Sequence, residues 1–384
     1  MSPLLFQPIE LRGLTLANRI VVEPMTQFSA DDGTAGDWHL MHLGQFAVSG
    51  AGLVMTESTY VSPEGRNTPT CLSLYSDEQE QAIARIKRFF DAHGTARFGV
   101  HLCHAGRRAS AKEPWLGGGP RLPEDGGYRT VAPSPVALSA KWPPPQELAR
   151  DDMTGILGAF VQAARRAHRT GVDLLELHCA HGYLLHQILS PISNRRADHY
   201  GGALENRVRF PLEVFEAVRA VWPEQKPLGV RVSATDWVTD GWDLEQTVAF
   251  ARSLDAVGCD FIDVSSGGLS AEQRIAVGAG YQIPFAAALK NAVKMKVIAV
   301  GLITSAQQAE TILMTGQADM IGLARAMLCD PRWPWHAAQE LGVDLAYPRQ
   351  YERAHPSRRA GAGINAPGNA VQPPEMTVPP IPAR

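Results

Sequence analysis

Eight short apolar, β-branched runs, each followed by a stretch of helical periodicity, restrict this chain more than any other feature. The runs fall at 19–22, 52–55, 98–102, 173–177, 228–232, 261–264, 296–300 and 320–323. Continuous apolar strands are buried on both faces, as in parallel sheets. The intervening segments 77–92, 151–170, 205–222, 244–257, 284–293, 306–314 and 333–341 repeat apolar residues at three and four. In the first of them Ile83, Ile86 and Phe90 share one face while Lys87 and Arg88 take the other. Strand–helix alternation sustained eight times predicts the α/β class and a closed (β/α)8 TIM barrel. The rival, a doubly wound open sheet, usually announces a Gly-x-Gly-x-x-Gly turn after its first strand. Here that position reads Glu23-Pro24-Met25-Thr26-Gln27-Phe28.

The 384 residues carry 36 basic and 39 acidic side chains, a net charge of −3. No basic block of five or six residues occurs, which argues against nucleic-acid and anionic-membrane partners. No apolar run approaches 18 residues and the N-terminus has no charged-then-apolar leader, so a cytoplasmic location is expected. The five cysteines are scattered with no Cys-x-x-Cys pair, and are read as reduced.

Three segments stand outside the alternation. Residues 4–18 read as a hairpin around Arg12-Gly13 that could plug the barrel bottom. Residues 109–147 follow the third strand and hold Gly117-Gly118-Gly119 and Pro143-Pro144-Pro145, a long excursion on the face where barrel active sites are built. After Arg353 the chain turns Pro- and Gly-rich. The expected division is therefore a single barrel domain, 1–353, and a disordered tail, 354–384.

Barrel chemistry lies at the carboxyl ends of the strands. The sharpest cluster there is His178-x-x-His181-x-Tyr183: two imidazoles able to hold a carbonyl oxygen and a phenol able to give a proton to carbon. His101-x-x-His104 with His178-x-x-His181 leaves a metal site open as an alternative, with Glu57 the nearest carboxylate. Arg231 ends the fifth strand. Gly301 and Ala324-Arg325, at the ends of the last two strands, suit a phosphate. A phosphate site, a cation and a histidine pair without a dinucleotide fingerprint point to FMN rather than FAD. No Lys ends a strand, which argues against pyridoxal phosphate.

These residues resemble the old yellow enzyme family of FMN-dependent ene-reductases, particularly the bacterial xenobiotic reductase-like subgroup, over residues 3–353. The most specific pieces are Leu177-His178-Cys179-Ala180-His181-Gly182-Tyr183-Leu184 and Ser190-Pro191-Ile192-Ser193-Asn194-Arg195-Arg196, continuing to Tyr200-Gly201-Gly202. His104-Ala105-Gly106-Arg107 and Tyr351-Glu352-Arg353 add to them. The resemblance implies that Pro24, Met25, Thr26, Ser58, His101, Arg231, Gly301, Ala324 and Arg325 surround tightly bound FMN, with NADPH or NADH as reductant. It implies further that His178 and His181 bind the oxygen of an activated alkene and that Tyr183 protonates Cα after hydride reaches Cβ. Phe28 would line the substrate pocket. Arg353 would reach a neighbouring subunit's site, which implies a homodimer or dimer-based tetramer.

Four positions depart from the subgroup. Thr26 stands where Cys is usual, Phe28 where Tyr is usual, His101 where Gln is usual and Ala324 where Gly is common. None removes the acid or the carbonyl-binding pair, so activity with altered flavin potential and substrate range is expected. Relatives acting on nitro compounds or amines, a metal-dependent barrel hydrolase and a non-catalytic barrel remain as alternatives.

Overall fold

The computed structural model describes residues 2–358. Eight parallel strands close on themselves: β1 (Ile20–Val22), β2 (Leu53–Tyr60), β3 (Arg97–Cys103), β4 (Leu174–Cys179), β5 (Leu228–Ser233), β6 (Phe261–Ser265), β7 (Lys296–Ala299) and β8 (Met320–Leu323). Closure is made where Ile321, Gly322 and Leu323 of β8 register with Ile20, Val21 and Val22 of β1. The expected (β/α)8 barrel is therefore the observed fold. It occupies a compact unit ending at Leu345, and the described residues from Ala346 belong to a second unit.

The helices form for local reasons the sequence carries. Asp77–His93 begins with a capping box, in which Ser76 Oγ accepts from the Gln79 N–H and Gln79 Oε1 accepts from the Ser76 N–H. Its buried face holds Ile83, Ile86 and Phe90, and Phe90 stacks on Phe98 of β3 with centroids 4.4 Å apart. The predicted helix at 205–222 is broken into Leu204–Arg207 and Arg209–Val221. Pro211 explains the break, because it has no N–H to give to the carbonyl four residues back. The helix Asp37–Ala47, between β1 and β2, was absent from the periodicity reading. Two of the residues on its buried face are histidines, His39 and His42.

The N-terminal hairpin pairs Ile9–Leu11 with Leu14–Leu16 around Arg12-Gly13, as expected. Ile9, Leu11 and Leu16 pack against Val21, Leu53, Met55, Leu174, Phe261, Ile298 and Met320 inside the barrel. The hairpin thus plugs the bottom, and each large side chain buried this way stabilises by about 1.5–3 kcal/mol.

The excursion at 109–147 contains only short 3-10 turns, Pro114–Leu116 and Pro123–Asp125, and a two-residue pairing of Val131–Ala132 with Gln146–Glu147. It encloses a cavity of about 290 Å³ between Tyr128, Trp142, Leu122 and Arg121. In the second unit Tyr347 packs edge-on against His355, and Arg358 pairs with Glu352 at 2.8 Å. The tail assigned to 354–384 lies beyond the described residues from 359 onward.

Candidate active site

The end of β4 delivers the histidine cluster. His178 is the last but one residue of the strand and is 3% exposed. The chain then turns sharply through His181 and Gly182, both left-handed with φ of 56° and 72°. A Cβ at Gly182 would run into the carbonyl of Gly268, so glycine is required there. The turn folds Tyr183 back over the strand end. His178 lies with its ring centroid 4.8 Å from Tyr183, 5.1 Å from His181 and 4.4 Å from His101. Four predicted residues from two strands and one turn are thereby brought together.

Two of the imidazoles are held from behind. The His181 backbone N–H donates to Ser233 Oγ, and its Nε2 shares a 2.7 Å hydrogen bond with Ser265 Oγ. His101 Nδ1 shares a 2.5 Å hydrogen bond with Glu176 Oε1, while its buried Nε2 has no partner among the described residues. Below the turn, His186 Nδ1 accepts from the Gly182 N–H, and Nε2 lies 2.9 Å from Asp236. Burial pushes His101, His178 and His181 well below the ordinary imidazole range, and the Arg231 cation adds to it for all three. All three are neutral, the form that can hold a carbonyl oxygen through N–H. Burial pushes Tyr183 up to about 12 against the opposing pull of Arg108, whose guanidinium carbon is 5.6 Å from the ring centroid. Tyr183 is therefore a protonated phenol at neutral pH.

Arg231 sits in a bed of carboxylates. Its Nη2 is 2.8 Å from Glu23 Oε2 and its Nε is 2.7 Å from Asp263 Oδ2, both ionic contacts outside hydrogen-bonding angles. Burial works against its charge, but Asp263, Glu23 and Glu176 together raise its pKa, so it stays a cation. Sequence reasoning gave no role to Glu23, Glu176 or Asp263. The signal was present, because an ionisable residue within an apolar strand run such as Leu-Leu-Glu-Leu or Phe-Ile-Asp-Val has to face a partner inside the barrel.

The remaining predicted residues of the barrel unit lie at or just beyond its strand ends. Pro24, Met25, Thr26 and Phe28 follow β1 and are half-buried, and the Phe28 ring meets Trp115 of the excursion edge-on at 5.7 Å. Ser58 is buried on β2 opposite His101, just past a bulge in that strand. Gly301, Leu302, Ile303, Ala324, Arg325 and Ala326 surround a cavity of about 180 Å³ at the ends of β7 and β8. Gly301 has φ of 131°, and a Cβ there would come 2.9 Å from Gln282 Nε2. The five-residue helix Arg325–Cys329 begins at this cavity, and its N-cap Ala324 makes no side-chain cap hydrogen bond. Arg353 belongs to the second unit, in the turn Arg349–Ala354, and is exposed.

Glu57 is engaged away from the His101 and His178 cluster. Its Oε1 contacts His39 Nε2 at 3.1 Å and its Oε2 accepts from the Gln27 N–H, which fixes the Thr26–Phe28 loop. Among the described residues no three His, Cys, Asp or Glu side chains come together as a metal site. No helix among them is long and apolar enough to cross a membrane.

Residues 4–344 match the NADH:flavin oxidoreductase / NADH oxidase family. An NADPH dehydrogenase of Geobacillus sp. (strain WCH70) is 41% identical over 355 residues, covering 92% of this chain and 99% of the relative. An NADH:flavin oxidoreductase of Gibberella zeae is 41% identical over 370 residues, covering 91% of this chain and 89% of its own. Among solved structures, morphinone reductase in complex with tetrahydroNAD superposes with a TM-score of 0.74 at 27% identity, covering 90% of this chain and 93% of that one. The chain belongs to this family, the old yellow enzymes, and is an FMN-dependent oxidoreductase that takes its electrons from NAD(P)H.

Proposed function

We propose that the enzyme reduces the activated C=C bond of α,β-unsaturated carbonyl or nitro compounds. The observation that carries this reading is the meeting of neutral His178 and protonated Tyr183 at 4.8 Å across one mouth. An oxygen-binding imidazole beside a proton donor to carbon is what polar alkene reduction requires.

The site suits FMN on two grounds. The cradle at Gly301 and Ala324–Ala326 offers backbone N–H groups and Arg325 to a phosphate. The unpartnered His101 Nε2 and the Arg231 cation offer polar groups to the edge of a heteroaromatic ring. Bound there, FMN supplies the hydride exchange between NAD(P)H and the alkene β-carbon. The chain supplies the rest. Pro24, Met25, Thr26 and Ser58 shape the ring site, His178 and His181 orient and polarise the substrate oxygen, and Tyr183 delivers a proton to Cα, a contribution of about 10²–10⁴ in rate. Phe28, packed on Trp115, forms an apolar wall toward the alkene.

We extend the reading to assembly and location. Arg353 completes the neighbouring subunit's site in a homodimer or dimer-based tetramer, the last residues from 354 form a tail without chemistry, and the enzyme is cytoplasmic. An anaerobic titration tests the catalytic reading. NADPH or NADH bleaches the visible flavin band and cyclohexenone restores it. A bleached enzyme that no enone, maleimide or nitroalkene reoxidises overturns the proposal.

A further inference from the structure

Three carboxyl groups, Glu23, Glu176 and Asp263, surround a single guanidinium inside the barrel, and each of the four side chains is nearly or fully buried. The neighbours are set by strand register. Asp263 on β6 lies opposite Arg231 on β5, which lies opposite His178 on β4, and Glu176 on β4 lies opposite His101 on β3. Were all three acids ionised, one cation would face three anions in a dry site. Two buried like charges against one partner raise each other's pKa until a proton is retained.

The unpartnered atoms show where a proton is needed. Both oxygens of Glu23 and both of Asp263 are buried without an N–H or O–H donor among the described residues. A carboxyl proton held between the two acids supplies one O–H donor to the pair. Burial raises both Glu23 and Asp263 against the opposing pull of Arg231, and the Asp263 and Glu176 charges push Glu23 higher still, well above the ordinary carboxylate range. Glu176 is already engaged with His101 Nδ1. The fold also makes specific room for Glu23. Gly322 of β8 faces it with no side chain, and a Cβ at that position would run into Glu23 Oε1.

We propose that Glu23 is a positioning residue that shares one proton with Asp263 beside Arg231, and that the net charge of this trio sets the midpoint potential of the bound FMN. With one shared proton the two acids carry a single negative charge, which balances the guanidinium. Loss of that proton leaves the trio negative and disfavours electron uptake by a neighbouring ring. The charged groups facing Glu23 are Arg231 from β5, Asp263 from β6 and Glu176 from β4, with His101 on β3 reached through Glu176; Gly322 on β8 contributes none. The second half of the inference rests on the proposed seat of FMN beside Arg231, whereas the shared proton does not.

Infrared spectroscopy of the FMN-loaded enzyme, with and without ¹³C-glutamate, and potentiometry across pH test both halves. A protonated-carboxyl band that shifts on labelling is expected in the native enzyme, absent in Glu23→Gln, and titrating at lower pH in Asp263→Asn, where the repelling anion is gone. The midpoint potential is expected to show a break at the pH where the band disappears, and Glu23→Gln is expected to lack that break. If Glu23→Gln does not fold, survival of the band in Glu176→Gln together with its shift in Asp263→Asn identifies Glu23. Absence of a labelled band, or its loss only in Glu176→Gln, overturns the shared proton. A band present with a potential that shows no break overturns the link to FMN. Neither readout uses an alkene, so both stand apart from failure of the substrate reading.

Discussion

The rings of His178 and Tyr183 meet at 4.8 Å because two consecutive left-handed residues, His181 and Gly182, reverse the chain between them. The proposed oxygen binder and proton donor are therefore built from one strand end and one turn, and their separation is set by backbone geometry rather than by packing of distant loops. Replacing Tyr183 by Phe removes the proton and keeps the ring. Reoxidation of the reduced enzyme by cyclohexenone is expected to slow by about 10²–10⁴, while bleaching by NADPH stays close to native. Stopped-flow measurement of the two half-reactions separates them, and equal losses in both would remove Tyr183 from the acid role. Since burial pushes the phenol up to about 12, the alkene step should be flat from neutral pH to well above pH 9.

Arg325 is exposed at the edge of the cavity between Gly301 and Ala326. A hydrogen bond to a charged group contributes about 1.5–3 kcal/mol, so Arg325→Ala should weaken FMN binding by roughly 10- to 150-fold. Fluorescence titration of the apoprotein reads this directly. Riboflavin, which lacks the phosphate, should bind native and variant protein alike. A variant that loses riboflavin affinity equally would place Arg325 outside the phosphate site.

Acid should destabilise the fold before most carboxylates protonate. Burial pulls His42 down to about 4, helped by His39, and burial pulls His104 to about 4 as well, with Glu64 opposing. Unfolded histidine titrates near 6.5, so between pH 6.5 and about 4 the unfolded chain binds more protons than the native one, and unfolding free energy falls as pH falls. This stabilisation is complete above pH 6.5 and lost through that window. The buried His101, His178 and His181 act in the same direction. Melting temperatures from pH 8 to 4 should hold level and then decline from about pH 6.5, less steeply in His42→Leu. A decline starting only near pH 4 would assign acid loss to paired carboxylates such as Glu80 instead.

The barrel strands were readable because parallel strands buried on both faces need no polar alternation. Leu228, Val230 and Val232 look the same to a reader as to the core. The helix Asp37–Ala47 was hidden because its inner face spends two positions on histidines, His39 bound to Glu57 and His42 packed on Phe46 at 5.0 Å. The site followed the same division. His178, His181 and Tyr183 sit at a strand end, the position where barrel chemistry is expected. Glu176 and Asp263 sit inside strands, where the apolar run marks them as needing a partner, but that partner is fixed only when β4, β5 and β6 lie side by side. Their role depends on which residue lies opposite which, and register is a property of the closed sheet rather than of any one segment.

Gly322 and Glu23 should behave as one unit. A methyl group at Gly322 would occupy the position of Glu23 Oε1, while Gly322 itself lies in β8 with an ordinary strand backbone, so the cost of Gly322→Ala comes from the collision and not from strain. Overpacking of this kind costs about 1–3 kcal/mol. Shortening the opposing side chain opens the same space, so Glu23→Ser with Gly322→Ala should recover most of that loss, a coupling of about 0.5–3 kcal/mol for residues in contact. Urea unfolding of the two single variants and the double variant measures it. Additive losses would mean that the two side chains do not compete for one volume, and would place the Glu23 carboxyl away from β8.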